Sequence, residues 1–286
     1  MKWKGRRKSS NVQDRRGMST GGKVVGGGIG GIGLLFVIIF TLFGGDPSAI
    51  LDSQIVNTPQ QQNVSYIEDA EEKELSEFVS VVLADTEDVW RQVFEENRIR
   101  YKEPSLVLFT ENVQSACGIA GSSTGPFYCP ADQQLYIDLS FYNELVQKFQ
   151  APGDFAMAYV VAHEVGHHVQ KLLGVSDQVQ ELRGQLSEKE FNRYLKRLEL
   201  QADYYAGVWA HYEQEFDYLN EGDIAEAMNA ASAVGDDRIQ KAAQGYVVPD
   251  SFTHGTSEQR MRWFKKGFES GDLENGNTFN VTDNEL

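Results

Sequence analysis

Between positions 68 and 98 the apolar residues Leu75, Phe78, Val79, Val82, Leu83, Trp90 and Phe94 recur at steps of mostly three and four, which predicts one or two amphipathic helices. Two short β-prone runs follow, 105–110 (SLVLFT) and 134–139 (QLYIDL), each bounded by turn residues, with Pro104 at the start of the first. From Phe141 onward the period is helical almost throughout, interrupted at Gly174, Gly184, Gly222, Gly235 and Gly245. The polar ending, 270–286, is expected to fray. Ahead of this pattern lies a polar stretch, 44–66, whose Pro47, Pro59 and glutamine run predict a tether. No internal repeat is visible. The expected fold class is α+β, mostly α, with one domain over 67–286 and a small β-sheet just before the helix that carries the chemistry.

Length and composition fit that picture: 286 residues, 41% hydrophobic and 11% aromatic, suffice for one large domain with appendages. Charge adds topology. Residues 1–23 hold eight Lys/Arg against Asp14, a net of +7, so a chain total of −16 leaves −23 on the remainder. So acidic a domain repels nucleic-acid phosphates, and no nucleic-acid role is expected. The 24–43 run (VVGGGIGGIGLLFVIIFTLF) carries no charge, and as a helix reaches about 30 Å, the thickness of a bilayer's hydrocarbon core. All the early basic residues precede it, and the next is Lys73. The positive-inside rule then predicts a single-pass membrane protein: residues 1–23 a basic cytoplasmic arm, 24–43 a transmembrane helix, 44–66 a linker, 67–286 extracytoplasmic. A cleaved signal peptide fits less well, because the apolar run is long, the basic stretch is extended and no A-x-A site follows.

Gly28 to Gly33 spells G-x-G-x-x-G, but no strand precedes it and it lies within the apolar run, so a dinucleotide site is excluded on context. Gly22, Gly26 and Gly30, or Gly27 and Gly31, are spaced for close helix approach and suggest a homodimer through this run. Simple tolerance of glycine in a membrane helix explains them equally well. Cys117 and Cys129 flank a Gly/Ser/Pro-rich stretch without a histidine, so a zinc pair is disfavoured. Outside the cytoplasm they are expected to form a disulfide; inside, they would be two buried thiols.

The chemistry centres on His163-Glu164-Val165-Gly166-His167, an H-E-x-x-H within an apolar helix that Asp154 is expected to cap after Pro152-Gly153. Residues four apart lie one turn apart on the same side, so His163 and His167 can share a zinc ion while Glu164 reaches a water on it. Two histidines leave a tetrahedral ion short of a ligand. Glu199 and Asp203, again four apart on a helix predicted over 187–216, supply the candidates: Glu199 as third ligand, Asp203 as acceptor for the other ring N–H of a ligating histidine. The apolar neighbours Leu198, Leu200, Ala202, Ala206 and Val208 argue against two solvated carboxylates. His254 precedes a helix predicted over 257–268 and is a candidate for stabilising the oxyanion; Tyr204 and Tyr205 are alternatives. His168 and His211 fall off the metal face and are expected to be structural.

These residues resemble the neutral zinc metallopeptidase family of mostly bacterial single-pass membrane proteins. The likeness runs from 11–17 (NVQDRRG) and the glycine-rich run through 116–118 (ACG), 125–130 (GPFYCP) and 136–138 (YID). It continues in 163–168 (HEVGHH), 199–203 (ELQAD) and 254–260 (HGTSEQR). The resemblance implies a zincin-like fold with a small sheet against the active-site helix. The Glu199–Asp203 spacing is similar to that of the gluzincins, where the Glu is the third ligand, and 254–260 is similar to a segment of the CAAX prenyl proteases. It does not imply a substrate.

The expected function is zinc-dependent hydrolysis of peptide bonds in a peptide or protein substrate, with Glu164 as general base. The strand around Tyr136 is expected to pair with an extended substrate. The rival is a catalytically silent, zinc-stabilised extracytoplasmic scaffold or binding protein, which would have no use for Glu164. A third reading, a membrane assembly factor acting through its glycine-rich helix, would not need the histidines.

Overall fold

A computed structural model of the chain describes residues 1–18 and 68–286. The expected transmembrane helix (24–43), the linker (44–66) and the glycine-mediated homodimer lie outside the described residues. Among those described, no helix is long and apolar enough to cross a membrane.

The fold is mostly helical α+β, as expected. The first strand, β1 (Val12–Asp14), is followed by helix α1 (Ala70–Glu96), then β2 (Ser105–Phe109), β3 (Asn112–Ser115), β4 (Gly118–Gly121), β5 (Phe127–Cys129) and β6 (Gln134–Asp138). Helices complete the chain: α2 (Phe141–Gln147), α3 (Asp154–Leu172), α4 (Val175–Glu181), α5 (Glu188–Glu215), α6 (Asp223–Ala233), α7 (Asp236–Gln244) and α8 (Ser257–Ser270). The four-stranded sheet has the order β1-β2-β6-β5, parallel except for β5, and β3–β4 form a separate hairpin. The Cys117–Cys129 disulfide joins that hairpin to the end of β5, the pairing expected for an oxidising compartment.

Strand alternation explains the unbroken apolar run of β2. Leu106 and Leu108, with Leu135 and Ile137 of β6, face the main core built with α1 and α3. Val107, Phe109 and Tyr136 face the other way, into a second core under the hairpin with Val113 and Phe127. Phe127 and Tyr136 stack with ring centroids 4.8 Å apart. α3 packs against this sheet on one side and against α5 and α6 on the other.

Helix spacing at the centre is set by glycine. A Cβ on Gly166 of α3 would lie 2.9 Å from the carbonyl oxygen of Ala202 and 3.1 Å from its Cα, nearer than side chains approach backbone. On the far side of α5, a Cβ on Gly267 of α8 would lie 1.9 Å from Tyr204 O. Three helices are thus stacked almost backbone to backbone. α5 starts with a capping box between Ser187 and Glu190, and α8 with one between Thr256 and Gln259.

Residues 1–18, the described part of the expected basic arm, are packed on the domain: β1 is hydrogen-bonded to β2 along its length, and Arg6, Arg7 and Arg16 are in ion pairs with acids of the domain or its approach. Two expectations are corrected here. The end of the chain is packed rather than frayed, with Leu286 buried, Trp263 Nε1 donating to its carbonyl at 3.1 Å, and Arg197 donating to Val281 O at 2.9 Å. Gly153, not Asp154, stands at the cap of α3; the Phe155 N–H is taken up at 3.1 Å by Glu226 of α6. Asp154 instead binds the Met1 ammonium at 2.9 Å, with Asp223 at 3.3 Å.

Replacing Gly166 by Ala is expected to lower stability by about 1–3 kcal/mol, because the extra methyl must push α3 and α5 apart. Chemical denaturation reads this as a lower midpoint with an unchanged slope.

Candidate metal centre

α3 and α5 bring His163, His167 and Glu199 together, with one ligand atom from each lying within 4.8 Å of the others. His163 Nε2 is 3.2 Å from Glu199 Oε2, and His167 Nε2 is 3.4 Å from Glu199 Oε1. Both imidazoles present Nε2 inward because Nδ1 is engaged outward. His163 Nδ1 meets Asp203 Oδ1 at 2.8 Å, and His167 Nδ1 meets Gln170 Oε1 at 2.9 Å. Gln170 is itself fixed by donating to Leu198 O at 2.6 Å and to Gln201 Oε1 at 3.1 Å. Two nitrogens and a carboxylate converging with a tetrahedral position to spare are the donor set of a catalytic zinc site, and the residues fit that ion.

A second trio, Asp154, Asp223 and Glu226, also converges, but it holds the Met1 ammonium and the Phe155 N–H.

Asp203, fully buried, is the hub behind the site. It accepts from Tyr159 Oη at 2.5 Å and from Arg260 Nε and Nη2 at 2.8 and 2.9 Å, besides contacting His163. Burial works against its negative charge, but Arg260 and His163 outweigh that and hold the carboxyl at about 2. Its folded pKa is therefore below its unfolded one, so its contribution to stability is complete above about pH 4 and is lost as pH falls toward 2. Arg260 also donates to Val234 O at 3.2 Å, tying α8 to the end of α6. Tyr159 does not stand out in the sequence, and Arg260 does so only as the end of the 254–260 segment; it sits one turn into α8, and only the packing of α8 on α5 brings it to Asp203.

His254 lines the same cavity, which measures about 370 Å³. Asp236, the first residue of α7, accepts three successive backbone N–H bonds from Thr253, His254 and Gly255 at 2.8, 2.7 and 3.1 Å. Its other oxygen lies 3.2 Å from His254 Nδ1. Burial lowers the basicity of His254, but Glu199 and Asp236 outweigh it and the net shift is upward. Asp236 was missed in the sequence, where it reads as one of two acids opening a helix.

Glu164 is buried at the cavity wall beside both histidines. Burial raises its pKa against the opposing pull of His167, His163 and a hydrogen bond from the Tyr128 backbone N–H. Tyr128 belongs to β5, an edge strand of the sheet among the described residues, and its side chain lines the cavity with Phe127. The substrate strand expected around Tyr136 is corrected on this point: Tyr136 lies in β6, hydrogen-bonded to β2 on one side and β5 on the other. Tyr204 and Tyr205 are also corrected as oxyanion donors. The Tyr204 hydroxyl is bound to Ser270 and Asp272, Tyr205 packs edge-on against Trp90, and neither lines the cavity.

The other histidines have structural surroundings. His168 is fully buried between Lys102 O (2.6 Å from Nε2) and the Tyr128 hydroxyl (3.0 Å from Nδ1), and burial pushes it down to about 4. It holds β5 against α3. His211 Nδ1 donates to Phe268 O at 2.8 Å and fastens α8 to α5.

Fold and site together define a candidate metal centre on a helix pair backed by a small sheet. The chain belongs to the family described as "Putative neutral zinc metallopeptidase", whose model matches residues 1–279. It is 50% identical over 287 residues to the uncharacterized protein YpfJ of Escherichia coli (strain K12), covering 98% of this chain and 99% of that one. It is 44% identical over 195 residues to the uncharacterized protein Mb2605 of Mycobacterium bovis, covering 64% of each chain. No solved structure matches.

Without metal, burial disfavours protonation of His163, yet Asp203 and Glu199 overcome it and raise its pKa to about 9. His167 is raised as well, against burial, by Glu199. A metal ion taken up by these histidines is therefore expected to displace protons at neutral pH. Calorimetric titration in buffers of different ionisation enthalpy is expected to show proton release at pH 7, with zinc affinity rising as pH climbs toward 9.

Proposed function

We propose that this protein hydrolyses peptide bonds in a peptide or protein substrate, using a zinc ion held by His163, His167 and Glu199 in the gluzincin manner. The observation that carries the reading is the convergence of those ligand atoms with Glu164 buried beside them at the wall of one cavity. A zinc ion bound there supplies Lewis acidity, polarising the scissile carbonyl and bringing the pKa of the attacking water toward neutrality.

The protein's own groups do the rest. Glu164, its basicity raised by burial, takes the proton of the attacking water and passes it to the leaving amine. His254, oriented through Nδ1 by Asp236, donates to the developing oxyanion. Asp203 keeps the His163 ring turned so that Nε2 faces the ion. An extended substrate adds to the edge strand β5, with an apolar side chain entering the part of the cavity walled by Val160, Leu195 and Leu198.

Glu164→Gln is expected to keep zinc while lowering kcat by about 10²–10⁴-fold on a peptide library. Undiminished turnover would remove Glu164 from the mechanism. A cellular function untouched by that variant but abolished by loss of zinc would favour the rival scaffold reading. Glu199→Ala is expected to purify with little zinc by metal analysis; full zinc content would show that the third ligand is another residue.

A further inference from the structure

The basic segment at the start of the chain is woven into the catalytic body. β1 pairs in parallel with β2, matching Val12 to Leu106, Gln13 to Val107 and Asp14 to Leu108. The ladder continues beyond the strand, with Leu106 N donating to Asn11 O at 2.9 Å and Arg15 N donating to Leu108 O at 2.8 Å. Further back, Ser9 N donates to Ser80 O of α1 at 2.9 Å, and Lys2 N to Tyr218 O at 2.8 Å. Trp3 meets Phe78 edge-on at 5.5 Å.

Side chains also tie this segment to the body. Three acids of α1 and α5 are almost wholly removed from water: Asp85 at 5%, Glu87 at 2% and Glu213 at 0% exposure. Arg6 lies 2.5 Å from Asp85 and 3.6 Å from Glu213. Glu87 accepts from Arg7 at 2.9 Å, from Asn11 at 2.8 Å and from Ser9. Take residues 1–17 away and these buried carboxylates lose their guanidinium partners, while the apolar edge of β2 opens to water. A buried charge stripped of its partner is among the most destabilising changes a fold can suffer.

These contacts conflict with the topology that the charge pattern suggests. A chain crossing a bilayer once between residues 18 and 68 would leave the segment and its binding site on opposite sides. We propose that residues 1–17 and the body of residues 68–286 occupy the same compartment, the segment being a structural part of that body. Lys2, Lys4, Arg6, Arg7, Lys8 and Arg16 are then explained by the acids they meet on the body and its approach, not by the anionic face of a membrane. This inference is independent of catalysis.

Two measurements on the full-length chain in bacterial membranes and cells test it. In the first, Ser10→Cys and, separately, Asp217→Cys place a thiol on an exposed position of the segment and of the body. Each is treated with a membrane-impermeant maleimide on intact spheroplasts and again after lysis. Matching behaviour, both labelled before lysis or both only after, is expected; one labelled before and the other only after overturns the proposal. The second needs no substitution. Lys4 lies 2.7 Å from Glu74 and Lys8 3.1 Å from Glu77, all at the surface. Carbodiimide treatment of the unaltered protein is expected to yield peptides of residues 1–18 joined to peptides of α1 by mass spectrometry. Absence of both links overturns the proposal.

Discussion

The contact on which the rest depends is the near touching of two helix backbones at Gly166 and Ala202. Ala202 lies between Glu199 and Asp203, and Gly166 lies just before His167, so one close approach sets how near Glu199 comes to both imidazoles. With a side chain at Gly166, the carboxylate of Glu199 would withdraw from both imidazoles at once. The motif H-E-x-x-H is usually read for its three functional letters. Here a fourth position, one of the two between them, decides whether the neighbouring helix comes near enough to complete the site.

Around that contact the polar groups form a layered chain of constraint. Asp203 orients His163; Arg260 and Tyr159 hold Asp203; the capping box of Thr256 and Gln259 begins the helix that carries Arg260. The segment His254 to Arg260 therefore has two duties: its first residue faces the cavity, and its last buttresses the metal centre from behind. Residues between them start the helix that makes both possible. Charge is balanced locally in this region, because each buried carboxylate lies against a cation or a row of N–H groups.

The centre itself was legible in the sequence because helices translate spacing into geometry. His163 with His167, and Glu199 with Asp203, are each one turn apart, so their faces follow from their numbers alone. The helices around them were legible for the same reason, and α1, α5 and α8 lie close to their predicted limits. What was not legible needs tertiary structure. β1 is three residues of a polar, basic stretch, and nothing in its own period distinguishes it from a membrane flank; it is a strand because β2 offers it an edge. β5 hides in a Gly/Ser/Pro-rich loop, while the more obviously β-prone run at Tyr136 is interior to the sheet. Asp236 and Arg260 act through partners that lie 18 and 57 residues away in sequence, a distance no local pattern spans.

β5 is fastened at two points. Its last residue, Cys129, is covalently tied to Cys117, and the Tyr128 hydroxyl is moored to the buried ring of His168 on α3. An edge so restrained has little freedom left to surrender when another strand lies down beside it. The ordering entropy that normally opposes association has largely been settled during folding, leaving the incoming chain's own flexibility as the main term against capture.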